Sequence, residues 1–403
     1  MMRPFTSTIS LDEARRRLEA NARPIERIER VRLVDAAGRV AAADVMSPID
    51  VPPFARSAMD GYAVVGADLD GASRAQPTSL RVIDRIYTGQ PSTKAVMPGT
   101  CAEIATGAPL PAGADAVVMV EETAKDGDTQ VRFFVRASPG QNVGLAGADI
   151  AAGDRVAAAG ELLTPSRVGA VAAIGRADLD VFAKPRVAIL STGNEVVEPG
   201  QPLSPGHIYD VNRFTLSAIV AAHGGIAEPR PPVQDSVEAL VVSLGACAGA
   251  DLIVFSGGSS VGERDLIVDA IADRGEMIFH GIAVRPGKPT AFARVGTTPF
   301  FGMPGNPTSC LSNAYVLLVP FLRAIARLPP HAPQKVTVPL ARRIASAAGR
   351  HQFYTVRIRD GAALPAFKGS GDITSLSRAD GYIEIPADQS VVEEGAPVDV
   401  TLF

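Results

Sequence analysis

The spacing of apolar positions changes along the chain, and each change marks a predicted domain. Ser10, followed by Leu11 and by Glu13 three residues on, forms a capping box that predicts a helix to about residue 20. A second helix is predicted to begin near Leu33 and to carry Val34, Ala37 and Val40. From 47 to 140 the pattern shortens to apolar runs at 62–65, 80–83, 116–120 and 131–135, punctuated by proline and glycine. Short strands at that spacing predict a β-rich module inserted into a helical framework. Helical spacing returns over 168–174, so the framework is expected to close on both sides of the insert.

Between 186 and 327 strand-like and helix-like runs alternate. Strands are predicted at 187–190, 226–233, 252–255 and 300–302, and helices at 213–223, 237–247, 266–273 and 309–325. That alternation predicts a doubly wound α/β domain with a mainly parallel sheet. Ligands bind outside the carboxyl ends of such strands, where the loops 191–195, 256–265 and 303–307 fall. The proline-rich segment 328–333 ends the domain, and runs at 336–340, 353–358 and 382–385 predict a small β domain after it. The predicted fold is therefore α/β and multidomain. Its parts are an N-terminal framework (1–46 and 141–181), an inserted β-rich domain (47–140), the α/β domain (182–328) and a C-terminal β domain (329–403).

The densest chemistry follows the run Leu252-Ile-Val-Phe. Glycines 257, 258 and 262 lie between that strand and the next helix, an arrangement in which backbone N–H groups and a helix N-terminus approach phosphate. The same loop ends in Glu263 and Asp265, which repel phosphate unless a cation lies between. Phosphate with a divalent cation is one reading, and a tight turn with acidic capping residues is the other. Asp210, Asp235, Glu195 and Asp265 fall in or near the loops of the α/β domain, and oxygen ligands of that kind suit Mg²⁺. Arg285-Pro-Gly-Lys288 sets two cations around a turn, with Lys288 a candidate oxyanion contact. Pro304-Gly305-Asn306-Pro307 is a rigid turn before a helix and a candidate anion nest. Outside this domain, the loop 53–63 packs Arg56, Ser57 and Asp60 among Pro, Met and Tyr, although Asp60-Gly61 also suits a plain hairpin. Thr106 and Asp149 are further loop candidates.

Composition narrows the class. With 403 residues, 46% hydrophobic and 20% charged, the chain is expected to fold into several domains. A net charge of −4 provides no global field for nucleic acid or an anionic membrane. No apolar signal core and no apolar run of roughly 18 residues occur. Three scattered cysteines read as buried thiols in a reducing compartment, so a cytoplasmic protein is expected. The five histidines follow no metal-ligand spacing, and no cysteine has a basic neighbour, which argues against a zinc site and covalent catalysis.

Taken in order, these segments resemble the molybdopterin molybdenumtransferases, the family that includes the C-terminal domain of gephyrin. The resemblance rests on S-A-M-D-G-Y-A at 57–63, T-G-A-P-L-P at 106–111, G-x-D-I at 147–150 and S-T-G-N-E at 191–195. It continues through G-x-I-Y-D-x-N-R at 206–213, S-G-G-x-S-V-G-E-x-D at 256–265, P-G-K-P at 286–289 and M-P-G-N-P at 303–307. It implies an elongated subunit that dimerises through the framework and shares its active site between subunits. The implied reaction is Mg²⁺-dependent and converts adenylylated molybdopterin and molybdate to molybdenum cofactor and AMP. By motif position, Asp60, Thr106, Glu195, Asp235, Asp265 and Lys288 are expected in catalysis, with Glu195, Asp235 and Asp265 holding the metal. Asp149, Pro304, Pro307 and Ser370 are carried over as substrate-binding. The loop residues Ser57, Gly257, Gly258, Ser260, Gly262, Arg285, Gly305 and Asn306 complete that set. The chain departs from the family's G-R-x-x-F-x-R, with Thr355 in place of the second arginine and Arg357 two residues on as a candidate replacement. Val211, Ser259 and Arg285 also stand where the family commonly has other residues.

Two other functions compete with the transferase: a non-catalytic relative that holds and delivers molybdopterin or finished cofactor, and an adenylyltransferase with a related α/β domain. The carboxylates Asp60, Glu195, Asp235 and Asp265 favour the enzyme over the carrier, and the N-terminal framework argues against the adenylyltransferase. An adenylyltransferase and apo-molybdoenzymes are the expected protein partners.

Overall fold

The computed structural model describes residues 8–257, 266–272, 274–346 and 349–403. The chain forms two compact units, one of Met1–Glu29 with Phe182–Phe403 and the other of Arg30–Val181.

In the second unit, the strand Val45–Met46 pairs with Arg155–Ala157, and the helix Pro165–Ala173 packs Val171 into a core with Ala36, Leu163, Leu179 and Val181. Thr164 caps that helix by accepting from the Arg167 N–H, and Pro165 fills the first turn, where its missing donor costs nothing. The second helix expected near Leu33 is absent. Leu33–Asp35 forms one 3₁₀ turn, Gly38 then turns the chain at φ +77°, and Val34 is 75% exposed. Its apolar spacing carries no buried helical stripe.

The insert is a six-stranded sheet in the order Ala116–Met119, Gly61–Val64, Thr100–Ile104, Thr78–Ile86, Gln130–Phe133, Thr123–Asp126. Gly61–Val64 lies inside the edge strand and is buried on both faces: Tyr62 and Val64 face one cluster, where Tyr62 meets Phe133 edge-on, and Ala63 faces another with Ile104 and Val117. A Cβ at Gly61 would lie 1.9 Å from the Val118 carbonyl, so the close approach of these strands requires glycine.

The first unit is built on a six-stranded sheet whose strands are β1 (Arg186–Ser191), β2 (Ile226–Pro229), β3 (Leu252–Ser256), β4 (Gly275–His280), β5 (Ala291–Val295) and β6 (Thr298–Met303). Their spatial order is β2-β1-β3-β6-β5-β4. The first four run parallel, and β5 and β4 add antiparallel edges. Along β1, Val187 and Ile189 enter one core, with Leu216, Ile219 and Phe321, while Ala188 and Leu190 enter the other, with Leu240 and Leu244. Helices on both faces give the doubly wound arrangement that the alternation predicts.

Leu11, Ala14 and Leu18 of the helix Leu11–Asn21 also enter the first of these cores. Residues 8–29 therefore pack with the α/β unit.

The chain from 307 to 325 is helical with a π turn at Ala314–Leu318. Pro320, which lacks an N–H and would crowd the carbonyl four residues back in a regular α-helix, follows that turn. Beyond residue 334 an antiparallel sheet joins His351–Arg359, Gly381–Ile385, Pro397–Leu402 and Lys335–Pro339, with Ala362–Pro365 on the first of these. Its edge accepts a guest: Val284–Arg285 from the α/β domain pairs in parallel with His351–Gln352.

Candidate functional site

The carboxyl ends of β1, β3 and β6 open onto a cavity of about 1410 Å³. Three of its walls are the described parts of the loops expected from sequence, and each is held by identifiable bonds.

Behind β1, Ser191 Oγ donates to Asp210 Oδ2 at 2.6 Å, and Asp210 Oδ1 accepts the Arg213 N–H at 3.1 Å. Arg213 Nε lies 3.3 Å from the same carboxylate, and its two terminal nitrogens reach Arg230 O and Glu198. The Asp210 side chain is 2% exposed. The expectation that Asp210 joins a metal-coordinating set is therefore corrected, because its oxygens are committed to a buried network that anchors the helix Asn212–Ala222. That commitment depends on partners up to 19 residues away and has no local signature.

Beyond β1, Thr192 Oγ1 approaches Val233 O at 3.0 Å and Asp235 Oδ1 at 3.1 Å, while Asn194 Oδ1 accepts the Asp235 N–H. Glu195 and Asp235, both exposed, thus line the same cavity from two segments tied together.

After β3 the chain turns at Gly257 with φ +116°, and a Cβ there would lie 2.4 Å from Thr192 O. Gly305 passes 3.5 Å from the Gly257 Cα, measured from the Cβ it lacks. Asn212 joins these loops, donating through Nδ2 to Ser256 Oγ at 2.7 Å and Gly305 O at 2.8 Å. Behind them Cys310 is fully buried, and burial pushes its thiol up to about 12, so it is inert packing.

Pro304, Gly305, Asn306 and Pro307 form the third wall, and Asn306 Nδ2 donates to Ser370 Oγ at 3.0 Å. The Ser370 carbonyl accepts the Thr308 N–H at 3.0 Å, so a residue 64 positions from Asn306 is fixed beside it. Arg285 and Lys288 line the cavity on the turn between β4 and β5. Gly258, Ser260, Gly262, Glu263 and Asp265 lie outside the described residues.

The remaining expected residues belong to the other unit, where Asp60 and Thr106 are joined. Ser57 Oγ donates to Met59 O at 2.5 Å, and the Thr106 N–H donates to Asp60 Oδ1 at 2.8 Å. Asp60, Thr106 and Asp149 are exposed, and the Asp149 backbone is held by its N–H to Val51 O.

Two cations missing from the expected set also line the cavity: Arg350 and Lys368 of the C-terminal β domain. Thr355, in place of the family's second arginine, and Arg357, its candidate replacement, do not line it. Thr355 is 1% exposed and its hydroxyl has no hydrogen-bond partner among the described residues. The side chain at position 355 is thus enclosed within the sheet domain, away from the cavity.

The cavity thus carries two exposed carboxylates, four cations and backbone turns. Among the described residues no three His, Cys, Asp or Glu side chains are grouped to hold a metal by themselves. The donors that line it are oxygens, without imidazole or thiolate, which suits a hard cation taking one or two carboxylates with substrate phosphates.

Three family models match the chain in order: "MoeA N-terminal region (domain I and II)" over residues 9–175, "Probable molybdopterin binding domain" over 188–324 and "MoeA C-terminal region (domain IV)" over 337–403. The chain is 36% identical over 382 residues to molybdopterin molybdenumtransferase 2 of Mycobacterium tuberculosis, covering 92% of this chain and 94% of that one. It is 32% identical to molybdopterin molybdenumtransferase of Haemophilus influenzae, covering 98% of each. A crystal structure of the molybdopterin biosynthesis MoeA protein from Pyrococcus horikoshii superposes with a TM-score of 0.85 at 38% identity, covering 98% of this chain and 99% of that one.

Proposed function

The chain belongs to the molybdopterin molybdenumtransferase family, and from that membership we propose that it inserts molybdate into adenylylated molybdopterin in a Mg²⁺-dependent step, giving molybdenum cofactor and AMP. The observation that carries this reading is the pairing of exposed Glu195 and Asp235 with Arg285, Lys288, Arg350 and Lys368 around one cavity. A substrate that brings both phosphates and an oxyanion needs both kinds of wall.

Glu195 and Asp235, with Asp265 from the motif, would hold the metal, which would supply Lewis-acid chemistry by offsetting phosphate charge. Thr192 keeps the Asp235 carboxylate in place. The turn at Gly257 and the Pro304–Pro307 segment present backbone to the substrate at close range, as anion nests do. Lys288 and Arg285 neutralise anionic oxygen as point charge and planar fork respectively. Asp60 and Thr106 join from the insert of a second copy of the chain, and this homodimer shares its sites between subunits.

Incubating purified protein with adenylylated molybdopterin, Mg²⁺ and molybdate tests the proposal, with AMP release and cofactor formation as readouts. Molybdate-dependent AMP release is the expected result. Tight binding of molybdopterin without turnover would instead establish the carrier.

A further inference from the structure

Asn313 lies behind the cavity at the last position before the π turn and is fully buried. Its Nδ2 donates to Gly287 O at 2.9 Å and to Thr290 Oγ1 at 2.5 Å. Thr290, also fully buried, returns its own hydroxyl proton to Gly287 O at 2.9 Å. The Thr290 N–H reaches the same oxygen at 3.3 Å. One carbonyl in the middle of the Arg285–Lys288 turn therefore accepts three donors. The amide orientation follows from chemistry, since a carbonyl oxygen only accepts and Nδ2 must face it. Gly287 has φ +103°, and a Cβ there would lie 2.1 Å from Asn313 Nδ2, so the turn and the asparagine are fitted to each other. On its other flank the turn is held by the pairing of Val284 and Arg285 with His351 and Gln352.

We propose that Asn313 is a positioning residue which, with Thr290, acts through the Gly287 carbonyl to aim Arg285 and Lys288 at the anionic group of the substrate. The inference rests on reading the cavity as a phosphate site. Asn313 lies outside every motif that carries the family resemblance, and it reaches the cavity only through Gly287. A hydrophobic residue at 313 would fill the same helix position equally well, yet it would leave the Gly287 carbonyl without its side-chain donor from the helix.

The test measures binding of inorganic pyrophosphate with Mg²⁺ by calorimetry, which needs no turnover. Asn313→Ala is expected to weaken binding about tenfold, the order expected for loss of a buried hydrogen bond that orients charged ligand contacts. Thr290→Val should act in the same direction, and Thr290→Ser, which keeps the hydroxyl, should restore wild-type affinity. Val131→Ala, a cavity-forming change in the insert core, serves as a stability control and should lower the melting temperature while leaving binding unchanged. In the double variant Arg285→Ala/Lys288→Ala, adding Asn313→Ala should cost nothing further, because residues acting through one another are not additive. Wild-type affinity in both Asn313→Ala and Thr290→Val, alongside weakened binding in Lys288→Ala, overturns the positioning role alone. Pyrophosphate binding indifferent to Arg285→Ala and Lys288→Ala overturns the phosphate reading and this inference with it. Should Asn313→Ala not fold, the Thr290→Val and Thr290→Ser pair decides.

Discussion

Thr192 Oγ1 sits 3.1 Å from Asp235 Oδ1 and 3.0 Å from Val233 O, so one hydroxyl joins the loop after β1 to the segment bearing a cavity carboxylate. Thr192→Val keeps shape and removes the tether. Hydrogen bonds to charged groups are worth about 1.5–3 kcal/mol, which corresponds to roughly tenfold or more. The expected outcome is a Mg²⁺ requirement raised by about that factor, with much of the turnover recovered at high Mg²⁺. AMP release followed against Mg²⁺ concentration checks it. A loss that no Mg²⁺ concentration recovers would place Thr192 in another role.

Gly257 leaves no room for a side chain. With φ +116° and only 2.4 Å from an added Cβ to Thr192 O, Gly257→Ala must displace one of the two loops. Strained backbone of this kind costs about 1–3 kcal/mol before any clash is counted. Activity should fall more than a hundredfold and the denaturation midpoint should shift, measured by AMP release and urea unfolding.

Because Thr355 is enclosed with an unpartnered hydroxyl, Thr355→Arg buries an unpaired charge, and a loss of about 3 kcal/mol or more is expected. Thr355→Val removes the unsatisfied hydroxyl at equal volume and should be neutral or stabilising by about 1 kcal/mol. Arg350→Ala, at the cavity, should weaken ligand binding without loss of stability. Urea unfolding of all three variants with ligand titration separates the effects.

Much of this was legible in the sequence, for reasons that also explain what was not. The strands β1, β3 and β6 are apolar runs that end in glycine or proline turns, so their loops could be placed at one end of a sheet. Strands β4 and β5 escaped because Met277-Ile-Phe279 and Ala291-Phe-Ala293 are short, and β4 lies at an antiparallel edge. The capping box at Ser10 announced a helix, but an apolar stripe states only that one face is buried, not which core receives it. Asp210 resembled the exposed loop acids because its partner Ser191 is far away in sequence. Arg350 opens the Gly349-Arg350-His-Gln-Phe353 stretch and Lys368 carries no motif, and nothing local to either says that it faces a cavity whose other walls are loops of the α/β domain. Asn313 was read only as part of a helix, since its role lies in a turn 26 residues away.

The proposed sharing of sites between subunits has a direct consequence. Mixing Asp60→Ala subunits with Asp235→Ala subunits should recover part of the activity, because a two-fold interface gives the heterodimer one composite site that keeps both carboxylates. Activity of the mixture after subunit exchange, compared with each parent, is the measurement. Stable mixed dimers without recovery would assign both residues to the same chain's site.

The last expectation concerns acid. The His223 ring meets His331 edge-on at 5.0 Å and Tyr315 at 6.5 Å, and Nδ1 of His223 is enclosed without a partner among the described residues. Burial, then the nearby His331 and Arg323 charges, depress His223 from its usual 6.5 to about 4. His331 is lowered too, by burial and by Arg323. A histidine with a folded-state pKa below its unfolded value resists the proton in the fold. Its contribution to stability is therefore complete above about 6.5, drains as pH falls towards 4, and is constant below that. The pair of Glu384 with His351 acts in the same direction at lower pH, since its depressed carboxylate loses stability as pH falls through the folded value. Melting temperature should thus decline between pH 6.5 and 4, and His223→Gln should flatten that decline while the loss at lower pH remains. Melting curves for both proteins at half-unit pH steps decide the point, and parallel slopes would remove His223 from the account.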